Sequence, residues 1–192
     1  MKKHLLFLLL LMSVWMMMAC RGDKHAPGPC RMTVKVDFPD YTQAYLKTTD
    51  GKVLDTLLLK DGQTDFLYSD TARMPFVAFV SLVNPWDSLD RMDMPVVVES
   101  GKVGVEVGEY IVAYGTPLNV RLQEFLNDLQ AASDAVKGPE VTVEESRKVF
   151  SQFYRQQILG NRHNVVGRFI YRNYGVHLNE EDAALVKAQL GN

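Results

Sequence analysis

At Thr116-Pro117 the hydrophobic pattern of this chain changes period, and that change constrains its fold more than any other feature. Upstream, apolar residues alternate with polar ones. Met32, Val34, Val36 and Phe38 are interleaved with Thr33, Lys35 and Asp37, the signature of a half-buried strand. Downstream, Leu118, Leu122, Phe125, Leu129, Ala132 and Val136 step by threes and fours, which places one apolar stripe along a helix. Strands are therefore collected before the switch and helices after it. A doubly wound parallel sheet needs the two to alternate along the chain, so that architecture is disfavoured.

Within 31–115, turn signals recur at roughly ten-residue spacing, which fits short strands in an antiparallel β-sandwich or open barrel. Asp50-Gly51 reads as a hairpin between Tyr45-Leu46-Lys47 and Val53-Leu54. A turn follows at Asp61-Gly62, strand residues at Phe66 and Tyr68, and a longer apolar run from Phe76 to Val83 that Asn84-Pro85 interrupts. Ser100-Gly101 reads as a second hairpin, between 95–99 and 102–107, and Tyr110 to Tyr114 as the last strand. Phe76, Phe79, Trp86, Met92 and Met94 are expected to gather around a long loop, with Trp86 at its tip.

In 116–192, Thr116 with Pro117 opens the first helix and Gly138-Pro139 stops it. Thr142 with Glu145 makes a capping box for a second helix, whose buried face is Val149, Phe150, Phe153, Tyr154 and Ile158. Asn164 starts a third helix with Val165, Val166, Phe169, Ile170 and Tyr174 inside. Asn179-Glu180-Glu181-Asp182 opens a fourth, its acidic residues favourable in the first turn. The expected fold is α+β, an N-terminal antiparallel sandwich or open barrel followed by a helical region.

The N-terminus is an address. Met1-Lys2-Lys3 is basic, and Leu5 to Met18 is apolar apart from Ser13. That stretch is shorter than the roughly 20 residues that span a bilayer, and it reads as a secretory signal peptide. It ends in Met17-Met18-Ala19-Cys20, which resembles a bacterial lipoprotein signal. The resemblance implies cleavage after 1–19, acylation of Cys20, and a lipidated tether over 20–30. Arg21 follows the cysteine where an inner-membrane retention signal would carry Asp, so the expected site is the outer membrane, with the face left open. Several acyl chains hold a protein firmly to a membrane, at about 0.8 kcal/mol per buried methylene. The residues alone also allow an ordinary secreted protein with Cys20 and Cys30 bridged.

Chemistry is scarce. With two cysteines in 192 residues, neither a disulfide-rich scaffold nor a four-thiolate zinc site can form. Cys20 and Cys30 do not make the Cys-x-x-Cys of a dithiol enzyme, so Cys30 is read as a structural thiol. No Gly-x-Ser-x-Gly occurs, and His163 and His177 read as surface or capping residues rather than general bases. Asp87, Asp90 and Asp93 read as a solvated loop, with a weak calcium site the sharper alternative. Gly101-Lys102-Val103-Gly104 lies between strands and cannot cradle phosphate as a strand-to-helix loop does. A net charge of −2 argues against nucleic acid as a partner. No catalytic residue, cofactor or metal ligand is assigned.

Val96-Val97-Val98-Glu99-Ser100-Gly101-Lys102-Val103-Gly104-Val105, followed by Tyr114-Gly115-Thr116-Pro117-Leu118-Asn119, resembles a domain of unknown function. That domain stands at the N-terminus of lipid-anchored thioredoxin-like proteins in one group of Gram-negative anaerobes. The similarity runs from about Arg31 to Asn119. Asn164-Val165-Val166-Gly167 and Leu178-Asn179-Glu180-Glu181 look like that family's helical linker. The resemblance implies an envelope lipoprotein. On the family's pattern a thioredoxin-like domain would begin at Leu190-Gly191-Asn192, and the shared domain carries no catalytic residues to transfer.

Charge is uneven. Arg147, Lys148, Arg155, Arg162, Arg168 and Arg172 come with no acidic residue among them, while acidic side chains outnumber basic ones across 31–119. One reading is internal, the helical half leaning on an acidic sheet. The other is a basic face toward anionic head groups or an acidic partner. The candidate interaction residues are Trp86, Arg155, Arg162, Arg168 and Arg172. The expected function is a non-catalytic, lipid-anchored binding or scaffolding module with an envelope protein or glycan partner. The alternatives are an accessory of a thiol-disulfide system and small-ligand capture between sheet and helices.

Overall fold

The computed structural model describes residues 28–191. The expected signal peptide, Cys20 and the expected tether as far as residue 27 lie outside them, as do His4 and His25. Among the described residues eight strands come first: β1 Cys30–Val36, β2 Gln43–Thr48, β3 Val53–Leu58, β4 Gln63–Tyr68, β5 Phe76–Asn84, β6 Asp87–Val98, β7 Gly101–Val107 and β8 Ile111–Tyr114. Four helices follow: α1 Pro117–Ala135, α2 Val143–Gly160, α3 Val165–Tyr174 and α4 Glu180–Leu190. The fold is α+β, with strands before helices, as the change of period requires.

The strands form two four-stranded sheets, ordered β4-β1-β7-β8 and β3-β2-β5-β6. Their facing sides share one core, including Met32, Val34 and Val36 of β1, Val103 and Val105 of β7, Ala78, Val80 and Leu82 of β5, and Val96 and Val98 of β6. The helices cover the outer side of the second sheet, where Val77, Phe79 and Val97 pack against Leu122, Phe125, Ile158, Val166, Phe169 and Ile170. Because side chains alternate along a strand, even-numbered residues of β5 enter the sandwich and odd-numbered ones meet the helices. Both faces of β5 are covered, which is why its sequence is a nearly unbroken apolar run.

Three expectations need correction. Ser100-Gly101 is not a hairpin: β6 and β7 belong to different sheets, and β7 pairs in parallel with β1, so the turn carries the chain across the sandwich. The sandwich is therefore not wholly antiparallel. Every strand of β6 and β7 buries one side in the same core, and a crossing link lets both do so while β7 fills the gap between β1 and β8. Secondly, residues 87–94 are strand rather than loop, because β6 pairs with β5 back to the tip at Asn84 and Asp87. Thirdly, Cys30 is the first residue of β1 and only 1% exposed, so the β domain begins one residue into the expected tether. The Asp50-Gly51 hairpin is present between β2 and β3. At Asp61-Gly62 both residues have positive φ, 51° and 73°, and the turn links the edges of the two sheets.

The helix starts follow their caps. Thr142 accepts from the Glu145 amide and Glu145 from the Thr142 amide, the reciprocal box. Asn164 and Asn179 cap α3 and α4 through their side-chain oxygens. Val149 is the exception on α2, lying 40% exposed rather than inside.

Candidate functional site

The two segments that carry the family resemblance meet in space. Glu99, before the Ser100-Gly101 crossing, accepts from the backbone amides of Leu118 (2.8 Å) and Asn119 (3.3 Å). It thereby caps α1 with a carboxylate at the positive end of the helix. Thr116 occupies the capping position without capping: its Oγ1 instead accepts from Asn119 Nδ2 at 2.8 Å. Asn119 also takes both backbone groups of Val97, accepting from its N–H and donating to its C=O, each at 2.8 Å. β6 is an edge strand, and the Asn119 amide stands in for the missing neighbour at that point. Gly115 turns the chain into α1 at φ 102°, where a Cβ would lie 2.4 Å from the Lys102 carbonyl oxygen. This junction binds helix to sheet, and none of its buried side-chain nitrogens or oxygens lacks a partner.

The tip of the β5–β6 hairpin has the opposite character. Trp86 is 88% and Leu89 91% exposed. The polar side chains around them turn inward and hold the loop. Asn84 Oδ1 accepts from the Trp86 amide at 2.9 Å and Asp87 Oδ1 from the Leu89 amide at 3.0 Å. Asp90 accepts from Tyr41 Oη at 2.5 Å and from Asn84 Nδ2 at 3.0 Å. These hydrogen bonds hold the Asp90 carboxyl below its ordinary range, and the bond to Asp90 pushes the Tyr41 phenol up to about 12. The expected cluster around Trp86 is absent. Phe79 meets Phe169 on the helix side, and Met92 and Met94 face the sandwich core. Nor do the three aspartates converge. Asp90 and Asp93 lie on opposite faces of β6, and Asp93 is bonded by Ser81 and paired with Arg91. No group of three or more metal-ligating side chains occurs among the described residues.

The basic run is divided. Arg155 Nη1 lies 2.7 Å from Asp182 on α4, and that carboxylate, 4% exposed, also accepts from Ser151. Arg155 thus ties α2 to α4. Arg162 Nη1 donates to the Leu159 carbonyl near the end of α2. Arg168 and Arg172 remain together, one turn apart on α3, and no salt bridge involves them among the described residues. No ion pair there joins the helices to the acidic sheet; what the internal-complementarity reading finds is the charge of Arg172 acting, as a lesser influence, on the Asp50 carboxyl at the β2–β3 turn. Arg147 and Lys148 line a different hollow, a groove of about 890 Å³ between the start of α2 and the turn at 175–178. His177 borders it, its ring 5.9 Å from that of Tyr154. His163 is exposed after α2.

Cys30 is buried at the head of β1, and burial pushes its thiol up from the ordinary value. A thiol held protonated is a poor nucleophile. A water-soluble disulfide reagent at pH near 8 should therefore modify Cys30 at least about a hundredfold more slowly in the folded protein than in urea. Comparable rates in both would show the sulfur to be accessible.

The sequence pointed to Trp86 through its place beside Asn84-Pro85. Leu89 went unnoticed, because the aspartates around it read as a solvated loop, in which a lone leucine carries no signal. No described helix is long and apolar enough to cross a membrane. Comparison with protein-family models finds no match, and comparison with curated proteins finds none either.

Proposed function

We propose that this protein is a non-catalytic, lipid-anchored envelope lipoprotein that presents the β5–β6 hairpin to a protein partner. The carrying observation is the position of the hairpin relative to the point where the chain enters the fold. Cys30 lies opposite Gly101 in register, and Gly28 accepts from Ser100 Oγ, so the entry point sits at the β6–β7 crossing. β6 runs from there to the hairpin over its 12 residues, about 35 Å at some 3.3 Å per residue. A chain anchored through Cys20 holds its entry end near the membrane and its Trp86 end away from it.

Two features support a binding role for that end. An exposed Trp beside an exposed Leu is the kind of pair that anchors interfaces by filling an apolar pocket. The Asn84, Asp87 and Asp90 hydrogen bonds order the loop beforehand, which lowers the entropy lost on binding.

The test has two arms in intact cells. An alkyne fatty acid should label the protein, and Cys20→Ala should abolish the label. A photo-crosslinking residue at position 86 should capture a discrete protein, and Leu89→Ser should weaken that capture. An unlabelled protein would remove the anchor. A bare result at position 86, with capture elsewhere on the surface, would remove the hairpin. Capture of a thioredoxin-like protein would identify an accessory of thiol-disulfide exchange.

A further inference from the structure

We propose that Arg168 and Arg172 form a headgroup site for anionic phospholipid at the entry end of the molecule, an inference that rests on the lipid-anchor reading above. A depression of about 320 Å³ opens there between the second sheet and α3. Arg168 and Arg172, four residues apart and so on one face of the helix, form one wall. Thr49 and Pro75-Phe76 form the other. Its place follows from the strand register. Phe76 lies opposite Val98, and its ring packs edge-on against Tyr68, which pairs with Cys30. The depression therefore shares an end with Gly28, where the chain arrives from Cys20. The eight residues from Cys20 to Gly28 span at most about 28 Å, so an anchor at Cys20 keeps this end within reach of the headgroups.

The chemistry suits phosphate. A guanidinium offers paired donors that match phosphate oxygens, and two on one face can clasp a single group. Unlike Arg155 and Arg162, these two arginines are neither ion-paired with a carboxylate nor folded onto their own helix end among the described residues; Arg147 and Lys148 are likewise without an ion pair there but line a different hollow. The acidic group nearby is Asp50, at the β2–β3 turn. Its carboxyl is lowered chiefly by the Thr48 hydroxyl, with Arg172 a lesser influence, so Asp50 stays ionised and a phosphate group competes with it for Arg172. The Thr49 hydroxyl adds a neutral donor on the rim, and Val77 and Phe169 give the hollow an apolar floor.

The experiment uses residues 20–192 with Cys20→Ser, which removes the acyl chain while keeping both cores, since these lie between Cys30 and Val186. Sedimentation is measured with vesicles of phosphatidylcholine alone and with about a quarter phosphatidylglycerol added. The protein should bind the mixed vesicles selectively. At about 1 kcal/mol per arginine near a charged surface, Arg168→Gln with Arg172→Gln should weaken that binding about 30-fold. Lys60→Gln with Arg91→Gln removes the same charge at the hairpin end and should leave binding unchanged. Equal binding to both vesicles, no binding to either, or an equal loss from the distal pair overturns the site. So does release by millimolar inorganic phosphate at constant ionic strength, which would assign the depression to a soluble anion. Fatty-acid labelling at Cys20 is read in cells, so loss of the anchor and loss of the headgroup site give separate signatures.

Discussion

Asn119→Leu should lower the stability of this protein by about 3 kcal/mol, although leucine is the better helix former and nearly the same size. Asn119 is 0% exposed, and its amide is the partner of the Val97 N–H, the Val97 C=O and the Thr116 hydroxyl. Leucine fills the space and leaves the two Val97 groups buried and unpaired. An unsatisfied buried polar group costs about 1–3 kcal/mol, against a gain in helix propensity of a few tenths. The cost falls on the seam between β6 and α1, so the helices should loosen from the sheet. Urea unfolding followed by circular dichroism checks this. The midpoint should fall with the slope unchanged, since the surface exposed on unfolding is the same. A loss below about 1 kcal/mol would show that water or a shifted backbone satisfies Val97 instead. Glu99→Gln belongs to the same junction. It keeps an acceptor for the Leu118 and Asn119 amides but removes the charge facing the helix end, so its cost should be smaller, about 0.5–1 kcal/mol.

Arg155→Met should cost about 2–3 kcal/mol, more than the loss of an exposed ion pair, because the carboxylate it leaves behind is buried. Asp182 is 4% exposed at its side chain, while Arg155 is 28% exposed and reaches water along one side. That asymmetry makes the two single changes unequal. Without Arg155, Asp182 keeps Ser151 and the first turn of α4 but loses its counter-charge. With Asp182→Asn, Arg155 can turn to solvent and Ser151 keeps an acceptor, so that change should cost less. A double-mutant cycle in urea isolates the coupling, expected at about 2 kcal/mol. Additive single effects would mean that the charges hold α2 and α4 together no better than packing does.

Local instructions were legible residue by residue. The capping box at Thr142 and Glu145, the asparagine caps at 164 and 179, the Asp50-Gly51 hairpin and the change of period at Thr116 act over three or four residues, within reach of a sequence pattern. Partner choice was not legible. Ser100-Gly101 has the composition of a hairpin turn whether its strands pair with each other or cross to opposite sheets. The outcome depends on β1 lying free to accept β7 in parallel. Glu99 and Asn119 could be seen as motif residues, but not as a cap and an edge clamp, since those roles need an approach across 20 positions of chain.

The candidate site divides in the same way. Trp86 stood out from its neighbours in the chain, and the cationic run from Arg147 to Arg172 was plain to count. Which cations remain unpaired was decided only when α4 brought Asp182 against Arg155. Sequence alone determined the class of fold, the order of strands before helices and nearly every helix start, because periodicity and capping are short-range physics. Tertiary structure decided the parallel β1–β7 pairing, the two covered faces of β5, and the separation of the Trp86 hairpin from the Arg168–Arg172 depression at opposite ends. Those features arise from burying several apolar faces at once, a condition that no single segment can satisfy or reveal.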